Sequence, residues 1–114
     1  MIFKTVDSEK GELAYFEREG SIVSASDFLD ILFSSPADTI ILRKEDLPDE
    51  FYDLKTKFAG EILQKLINYR RRMIVLGEFG NFSSKSWKDF VYESNKQGKF
   101  LFCSSIEEAI PLLK

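Results

Sequence analysis

The chain has 114 residues, a net charge of −3, no histidine and one cysteine, and these properties exclude several classes of function. Without histidine it cannot use imidazole for acid–base catalysis, for a Ser–His or Cys–His nucleophile pair, or for a zinc site. The acidic balance argues against a nucleic-acid binder that works by general attraction to phosphates. The hydrophobic content of 44%, with eleven phenylalanines, is sufficient for the core of one domain over residues 1–114.

The one cysteine, Cys103, excludes an internal disulfide and a cysteine-rich metal site. It ends an apolar run, so we interpret it as a small buried hydrophobe rather than a reactive thiol. No apolar run reaches the ~18 residues of a membrane span, and no signal peptide is visible at the start. We therefore expect a cytoplasmic protein without metal or cofactor. We also expect no nucleic-acid or membrane partner, and either a monomer or a weak homodimer.

Two strands, 2–6 and 12–18, open the predicted fold, and the turn-forming residues between them indicate a hairpin. A short helix begins near Ser24 and ends before Pro36, because the residue before proline avoids the helical region. The apolar run 39–42 is the third predicted strand, and a charged loop follows it.

A long amphipathic helix is predicted from Asp53, which caps its start, to about Arg71. Its apolar residues recur every four positions and form one wide face: Leu54, Phe58, Ile62 and Leu66, with Ala59, Leu63 and Ile67 beside them. The apolar run 73–76 that follows lacks alternation, as a strand covered on both faces requires. We expect Leu63 and Ile74 to share one core between this helix and the sheet.

The last part of the chain alternates helix and strand again. After a loop at 77–82, a third helix begins at Ser83 or Ser84. Residues 99–103 form the fifth strand, and a capping box at 105–108 begins a last short helix, which proline breaks. The order β-β-α-β-α-β-α-β-α predicts an α/β fold with a mostly parallel central sheet and an antiparallel N-terminal edge hairpin.

Three stretches of the sequence resemble known domains. The ending FLFCSSIEEAI (100–110), together with the element order, resembles the STAS domain of anti-sigma factor antagonists. The stretches FYDLKTKFAGEILQK (51–65) and SKSWKDFVYESN (84–95) are similar to a family of small, STAS-like bacterial domains with no assigned function. The resemblance implies a STAS-like fold and a non-enzymatic regulatory role through contacts with an unknown protein partner.

In STAS domains, a serine in an Asp-Ser-Ser/Thr-Gly motif at the start of the second helix is phosphorylated by a partner kinase. The alignment places Lys55, Thr56 and Lys57 at that motif, so the resemblance implies Thr56 as a phosphorylation or partner-contact site. A lysine stands in place of the motif's aspartate, and Phe58 in place of its glycine. By their charge, Lys55 and Lys57 are candidate anion or partner contacts, as is Arg43. The alternative interpretation is a solvated helix start.

Ligands of open parallel sheets bind beyond the carboxyl ends of the strands. The residues expected at that edge form a second candidate site: Arg43, Glu78, Phe79, Asn81, Phe82 and Ser104. Such a site would make the chain a small-ligand-binding protein or a weak enzyme, although Phe79 and Phe82 can instead belong to the core. A carrier of apolar ligands is a third hypothesis. The basic run 70–72 is interpreted as helix-end charge rather than as a binding patch.

Overall fold

A five-stranded sheet organises the fold in this computed structural model, which describes residues 3–17, 24–79 and 84–114. The strands are β1 (Phe3–Ser8), β2 (Gly11–Phe16), β3 (Thr39–Arg43), β4 (Arg72–Leu76) and β5 (Phe100–Cys103). They follow chain order across the sheet, with β1 antiparallel to β2 and each later neighbour parallel. The predicted α/β class, with its parallel centre and antiparallel edge hairpin, is confirmed. Ile2 and Arg18, the outer ends of the first two predicted strands, lie outside the described residues.

Four α-helices lie in the described ranges: α1 (Ala25–Ser34), α2 (Phe58–Asn68), α3 (Lys85–Gln97) and α4 (Ile106–Ala109). Right-handed crossovers place successive helices on one face of a sheet when the parallel strands follow chain order. The first three helices do share one face, where buried side chains of all three pack in one cluster with β3, β4 and β5. The short α4 covers the opposite face.

The parallel strands are buried on both faces, as their unbroken apolar runs predict. Successive side chains of a strand point to opposite faces, so Met73 and Val75 pack beneath the helices while Ile74 packs against α4. Leu63 is partly buried, and it packs on the helix side. The prediction that Leu63 and Ile74 share one core is therefore wrong, because the sheet separates them.

An aromatic cluster on the helical face is centred on Phe51, which is fully buried. Five rings have centroids between 5.0 and 6.3 Å from its own: Tyr52, Phe58, Trp87, Phe100 and Phe102. Aromatic pairs of this kind contribute roughly 0.5–1.5 kcal/mol each beyond their buried area. Phe51 comes from a 3₁₀ turn, Asp49–Tyr52, so the charged segment between β3 and α2 is anchored in the core.

The helix α2 begins at Phe58, later than the sequence predicts, because a second 3₁₀ turn, Leu54–Thr56, precedes it. Asp53 accepts a hydrogen bond from the backbone nitrogen of Lys55 at 3.1 Å, so it caps this turn and not the helix. Lys57 then adopts a left-handed conformation with φ of 64°, which interrupts the helical backbone. The predicted start at Asp53 is wrong.

The end of the chain returns to the amino ends of the parallel strands. A 3₁₀ turn, Ile110–Leu112, follows α4, which confirms the predicted break at proline. Gly98 ends α3 with φ of 79°, and a Cβ atom there would lie 2.5 Å from the backbone oxygen of Leu112. Glycine therefore allows the two segments to pass closely, and the backbone nitrogen of Lys114 donates to Gly98 O at 3.0 Å.

Candidate functional site

The carboxyl edge of the sheet, where β3, β4 and β5 end, contains a tightly bound Arg–Asp pair. The side chain of Asp46 is 2% exposed and accepts hydrogen bonds from Arg43, through its backbone nitrogen at 2.8 Å and Nη2 at 2.9 Å. The side-chain hydrogen bond with Asp46, together with the negative charge of that carboxylate, raises the pKa of Arg43 above its usual value. The Arg43 guanidinium thus has a structural partner, and its predicted role as an anion or partner contact stays a prediction.

Lys44 joins this edge to the loop after β4. Its Nζ donates to the backbone oxygen of Glu78 at 2.8 Å and lies 5.6 Å from the centre of the Phe79 ring. Its stem passes Gly77 so closely that a Cβ there would lie 2.6 Å from Lys44 Cβ. The Tyr52 hydroxyl donates to the backbone oxygen of Lys44 at 2.5 Å, and burial raises the pKa of Tyr52. These contacts fix both ends of Lys44 within the fold.

The last residue of β5, Cys103, and the residue after it, Ser104, are also engaged within the protein. Ser104 Oγ donates to Glu108 Oε2 at 2.6 Å, across the start of α4. Cys103 is buried, and burial, assisted by the charge of Glu108, raises the pKa of its thiol to about 11. A thiol that stays protonated at neutral pH is inert as a nucleophile.

Of the predicted strand-end residues, the structure brings Glu78 and Phe79 into contact with Lys44. Ser104 directly follows the adjacent strand β5, and its side chain is hydrogen-bonded to Glu108 of α4. Asn81 and Phe82 lie outside the described residues. A ligand site at this edge stays a prediction.

The segment before α2 places Thr56 at the surface. Its Oγ1 lies 2.6 Å from the backbone oxygen of Glu50 and 2.8 Å from that of Asp53, and one hydroxyl proton serves one of them at a time. The backbone nitrogen of Phe58 donates to the same Oγ1 at 3.3 Å. Lys55 and Lys57 are exposed beside it, outside the first turn of the helix. Phosphorylation of Thr56 and anion contacts by the two lysines stay predictions.

The opposite end of the sheet carries a groove of about 710 Å³, here named the amino-edge groove. Its lining combines five basic side chains, one acidic side chain, an amide and two aliphatic side chains: Asp38, Leu66, Ile67, Arg70, Arg71, Arg72, Gln97, Lys99 and Lys114. Asp38, Arg71 and Lys99 immediately precede β3, β4 and β5. Parallel strands begin at one edge, so the fold gathers these charges from distant parts of the sequence.

Two of the basic side chains of the amino-edge groove are engaged in structural contacts. Arg71 Nη1 lies 3.1 Å from Asp38 Oδ1, and Lys114 Nζ donates to the backbone oxygen of Lys96 at 3.0 Å. The side chains of Arg70, Arg72 and Lys99 make no hydrogen bond or ion pair within the part of the chain that the structure describes. Three cationic groups are therefore available to a ligand.

An exposed apolar surface adjoins the amino-edge groove where α1 and α2 end, and we name it the helix-end patch. It consists of Phe33, Ile67 and Tyr69, which are 59, 52 and 45% exposed. The rings of Phe33 and Tyr69 meet edge to face, with centroids 5.0 Å apart. Ile67 also lines the groove, so the patch and the groove share this residue.

The sequence-based candidates did not include this surface. A basic run before one strand is a weak signal, because cations also suit the negative ends of helices. The sequence contains a stronger signal. Arg72 directly precedes the predicted strand 73–76, and Lys99 is the first residue of the predicted strand 99–103. Two neighbouring parallel strands that begin with basic residues place them at the same edge.

Neither a metal centre nor a membrane span is found in the described ranges. No three or more carboxylate or cysteine side chains there are grouped so that they could hold a metal ion. Likewise, none of the helices in these ranges is long and apolar enough to cross a membrane.

Comparison with known proteins places the chain in a family. A family described as "Domain of unknown function (DUF4180)" matches residues 9–113. The chain belongs to this family. No curated protein and no solved structure matches the chain. The prediction of a family without an assigned function is confirmed, and the likeness to STAS domains stays a prediction.

Proposed function

We propose that this chain is a non-enzymatic interaction module of STAS type, which acts by docking a protein partner on the helix-end patch. The supporting observation is the patch itself. Phe33, Ile67 and Tyr69 are three of the five large apolar side chains that are exposed in the described ranges. The rings of Phe33 and Tyr69 pack against each other, and Ile67 lies two residues before Tyr69.

Exposed apolar groups are ordinary when they are scattered singly, whereas a contiguous set indicates an interaction site. Aromatic side chains are enriched among the residues that dominate binding energy at protein interfaces. Phe33 lies in α1, and Tyr69 directly follows α2. Because the two packed helices hold the rings at a fixed separation, little side-chain entropy is lost on binding.

The occupant we assign is a different protein with an acidic contact surface. Charge complementarity supports this assignment, because the patch continues into a groove with five basic side chains and one acidic side chain. A second copy of the chain, related by a two-fold axis through the patch, would bring two basic grooves near each other. The repulsion between like charges opposes that arrangement.

Site-specific photo-crosslinking tests the proposal in the cells that make the protein. A benzophenone amino acid replaces Phe33 or Tyr69, and the matched control replaces Tyr92, an exposed tyrosine on α3 that lies outside the patch. We expect positions 33 and 69 to capture one and the same protein, and position 92 not to capture it. Captured proteins are identified by mass spectrometry.

Binding of that protein, once purified, is then measured against three alanine variants. Phe33→Ala and Tyr69→Ala should weaken it by at least about tenfold each, which corresponds to about 1.4 kcal/mol. Tyr92→Ala should change it by less than about twofold. Capture of a second copy only, no capture at all, or an equal loss with Tyr92→Ala would contradict the proposal.

A further inference from the structure

We propose that the amino-edge groove binds an acidic segment of the partner, in which carboxylates flank an apolar anchor. This inference rests on the proposed function, since the groove is the charged continuation of the helix-end patch. It assigns a role to Arg70, Arg72 and Lys99, which the sequence analysis did not recognise as a site.

The sign of the charge in the groove is opposite to that of the whole chain. The whole chain carries a net charge of −3, yet five of its 16 basic residues and only one acidic residue line this groove. The one acidic residue, Asp38, is already paired with Arg71. The groove is therefore a concentrated positive surface on an acidic protein, which attracts negative ligands and orients them.

The amino-edge groove carries more positive charge than the contacts of the fold use. Cations near helix carboxyl ends stabilise exposed carbonyl groups, and Lys114 does so through the backbone oxygen of Lys96 in α3. Arg71 holds Asp38 and also donates to the backbone oxygen of Ala37. Arg70, Arg72 and Lys99 make no comparable contact with any described residue, so these three can form new ion pairs without breaking old ones.

The apolar part of the lining bears on which kind of anion the groove binds. Leu66 and Ile67 line the groove beside the charges, and Ile67 also belongs to the helix-end patch. An inorganic anion would use the charges and leave the apolar groups exposed. A peptide that carries both carboxylates and an aliphatic or aromatic side chain satisfies both parts of the surface. The planar guanidinium group of arginine also pairs with a carboxylate through two parallel hydrogen bonds.

Fluorescence anisotropy with synthetic peptides tests this inference. The probe is a short labelled peptide in which Asp and Glu flank one Leu, and the control peptide has Lys in place of every acid. We expect the acidic peptide to bind and the basic peptide not to bind. Affinity should fall as salt is added, because charge pairs at an open surface are screened.

Charge reversal locates the binding. Arg70→Glu, Arg72→Glu and Lys99→Glu should each weaken the acidic peptide at least tenfold. The matched control, Lys88→Glu, reverses an exposed lysine of α3 that does not line the groove and should change affinity by less than twofold. The neutral variants Arg70→Gln and Lys99→Gln, with thermal melting of every variant, separate loss of charge from loss of folding.

Three results would overturn the inference. They are absence of binding by the acidic peptide, equal loss with Lys88→Glu, and tighter binding of a single-stranded oligonucleotide or of polyphosphate than of the peptide. The inference fails separately from the proposed function when Phe33→Ala weakens the cross-linked partner but the charge reversals do not. When the patch variants have no effect on any partner, the proposed function itself is wrong.

Discussion

Two Arg–Asp pairs at opposite ends of the parallel sheet look alike in distance and differ in surroundings. Arg43 and Asp46, at the carboxyl edge, are 2.9 Å apart, and Arg71 and Asp38, at the amino edge, are 3.1 Å apart. The Asp46 side chain is 2% exposed, whereas that of Asp38 is 76% exposed. Asp46 also accepts from the Arg43 backbone. Asp46 is therefore part of the core of the fold, whereas Asp38 is largely in solvent, although its partner Arg71 is only 24% exposed.

The same contrast extends to the rest of each edge. At the carboxyl edge, Lys44 is held by Glu78 and Phe79, and Ser104 is bonded to Glu108. At the amino edge, most of the positive charge is not used by the described part of the fold. Polar residues at a predicted ligand edge can therefore be structural, while a helix-end run such as 70–72 can hold the charges that are free to bind.

The largest effect is expected at the base of the amino-edge groove, where Leu66 belongs both to the lining and to the core. Leu66→Ala should lower the free energy of unfolding by roughly 2–5 kcal/mol, because the buried side chain leaves a cavity. Leu63→Ala, at a partly buried position of the same helix, should cost roughly 1–2 kcal/mol. Urea denaturation measures both, and equal losses would show that the difference in burial between the two leucines is wrongly assigned.

The next effect separates the two Arg–Asp pairs. Asp46→Ala should lower the free energy of unfolding by roughly 2–4 kcal/mol, because it removes a buried carboxylate and leaves the Arg43 backbone nitrogen without its partner. Asp38→Ala should cost less than about 1 kcal/mol, as expected for an exposed ion pair. Chemical denaturation of both variants at one ionic strength checks this. Similar losses from the two substitutions would remove the distinction between the edges.

Cys103 provides a test of burial at the carboxyl edge. Its pKa is raised from 9.0 to about 11, so its thiolate population at pH 8 should be roughly a hundredfold below that of an unperturbed thiol. Because the pKa is raised on folding, the stabilisation is present below pH 9 and is lost as the pH rises from 9 to 11.

Iodoacetamide alkylation should therefore be at least about a hundredfold slower in the folded protein than in urea. Alkaline unfolding should be less steep in Cys103→Ala, which lacks the titrating group. Rapid labelling of the folded protein at neutral pH would show that β5 is open at its end.

The smallest effects on stability are expected at the cations of the amino-edge groove. Lys99→Ala should change the free energy of unfolding by no more than about 0.5 kcal/mol. Arg70 has φ of 55°, a conformation that glycine adopts without the Cβ penalty, so Arg70→Gly should be neutral or stabilising by up to about 1 kcal/mol. Thermal melts suffice for both. A clear loss of stability in either variant would mean that the cation is structural.

Much of the fold could be predicted from the sequence, because buried parallel strands and amphipathic helices carry distinct patterns. The unbroken apolar runs around Ile41 and Ile74 correctly predicted two strands, and the four-residue spacing of Ile62 and Leu66 correctly predicted a helix. The predicted start of that helix was wrong because Leu54 fits the same apolar spacing. In the structure the left-handed backbone of Lys57 separates Leu54 from the helix. Periodicity records which side chains are apolar, and it does not record where the backbone turns.

The candidate site was harder to predict, because it depends on which strands are neighbours. Asp38, Arg72 and Lys99 are far apart in the chain and meet only because β3, β4 and β5 lie side by side. The helix-end patch had no sequence signal at all. Ile67 fits the predicted apolar face of α2, yet it is 52% exposed near the end of that helix.

Nuclear magnetic resonance titration of the ¹⁵N-labelled protein with the acidic peptide tests the contrast between the two edges most directly, since it reports both at once. We expect shift changes at backbone amides 67–72 and 97–99, with little change at 43–46 and 76–79. The same titration with Arg70→Glu should lose those changes, while the Lys88→Glu variant should keep them. Shift changes centred on 43–46 and 76–79 instead would show that the carboxyl edge is the binding surface and would contradict the account.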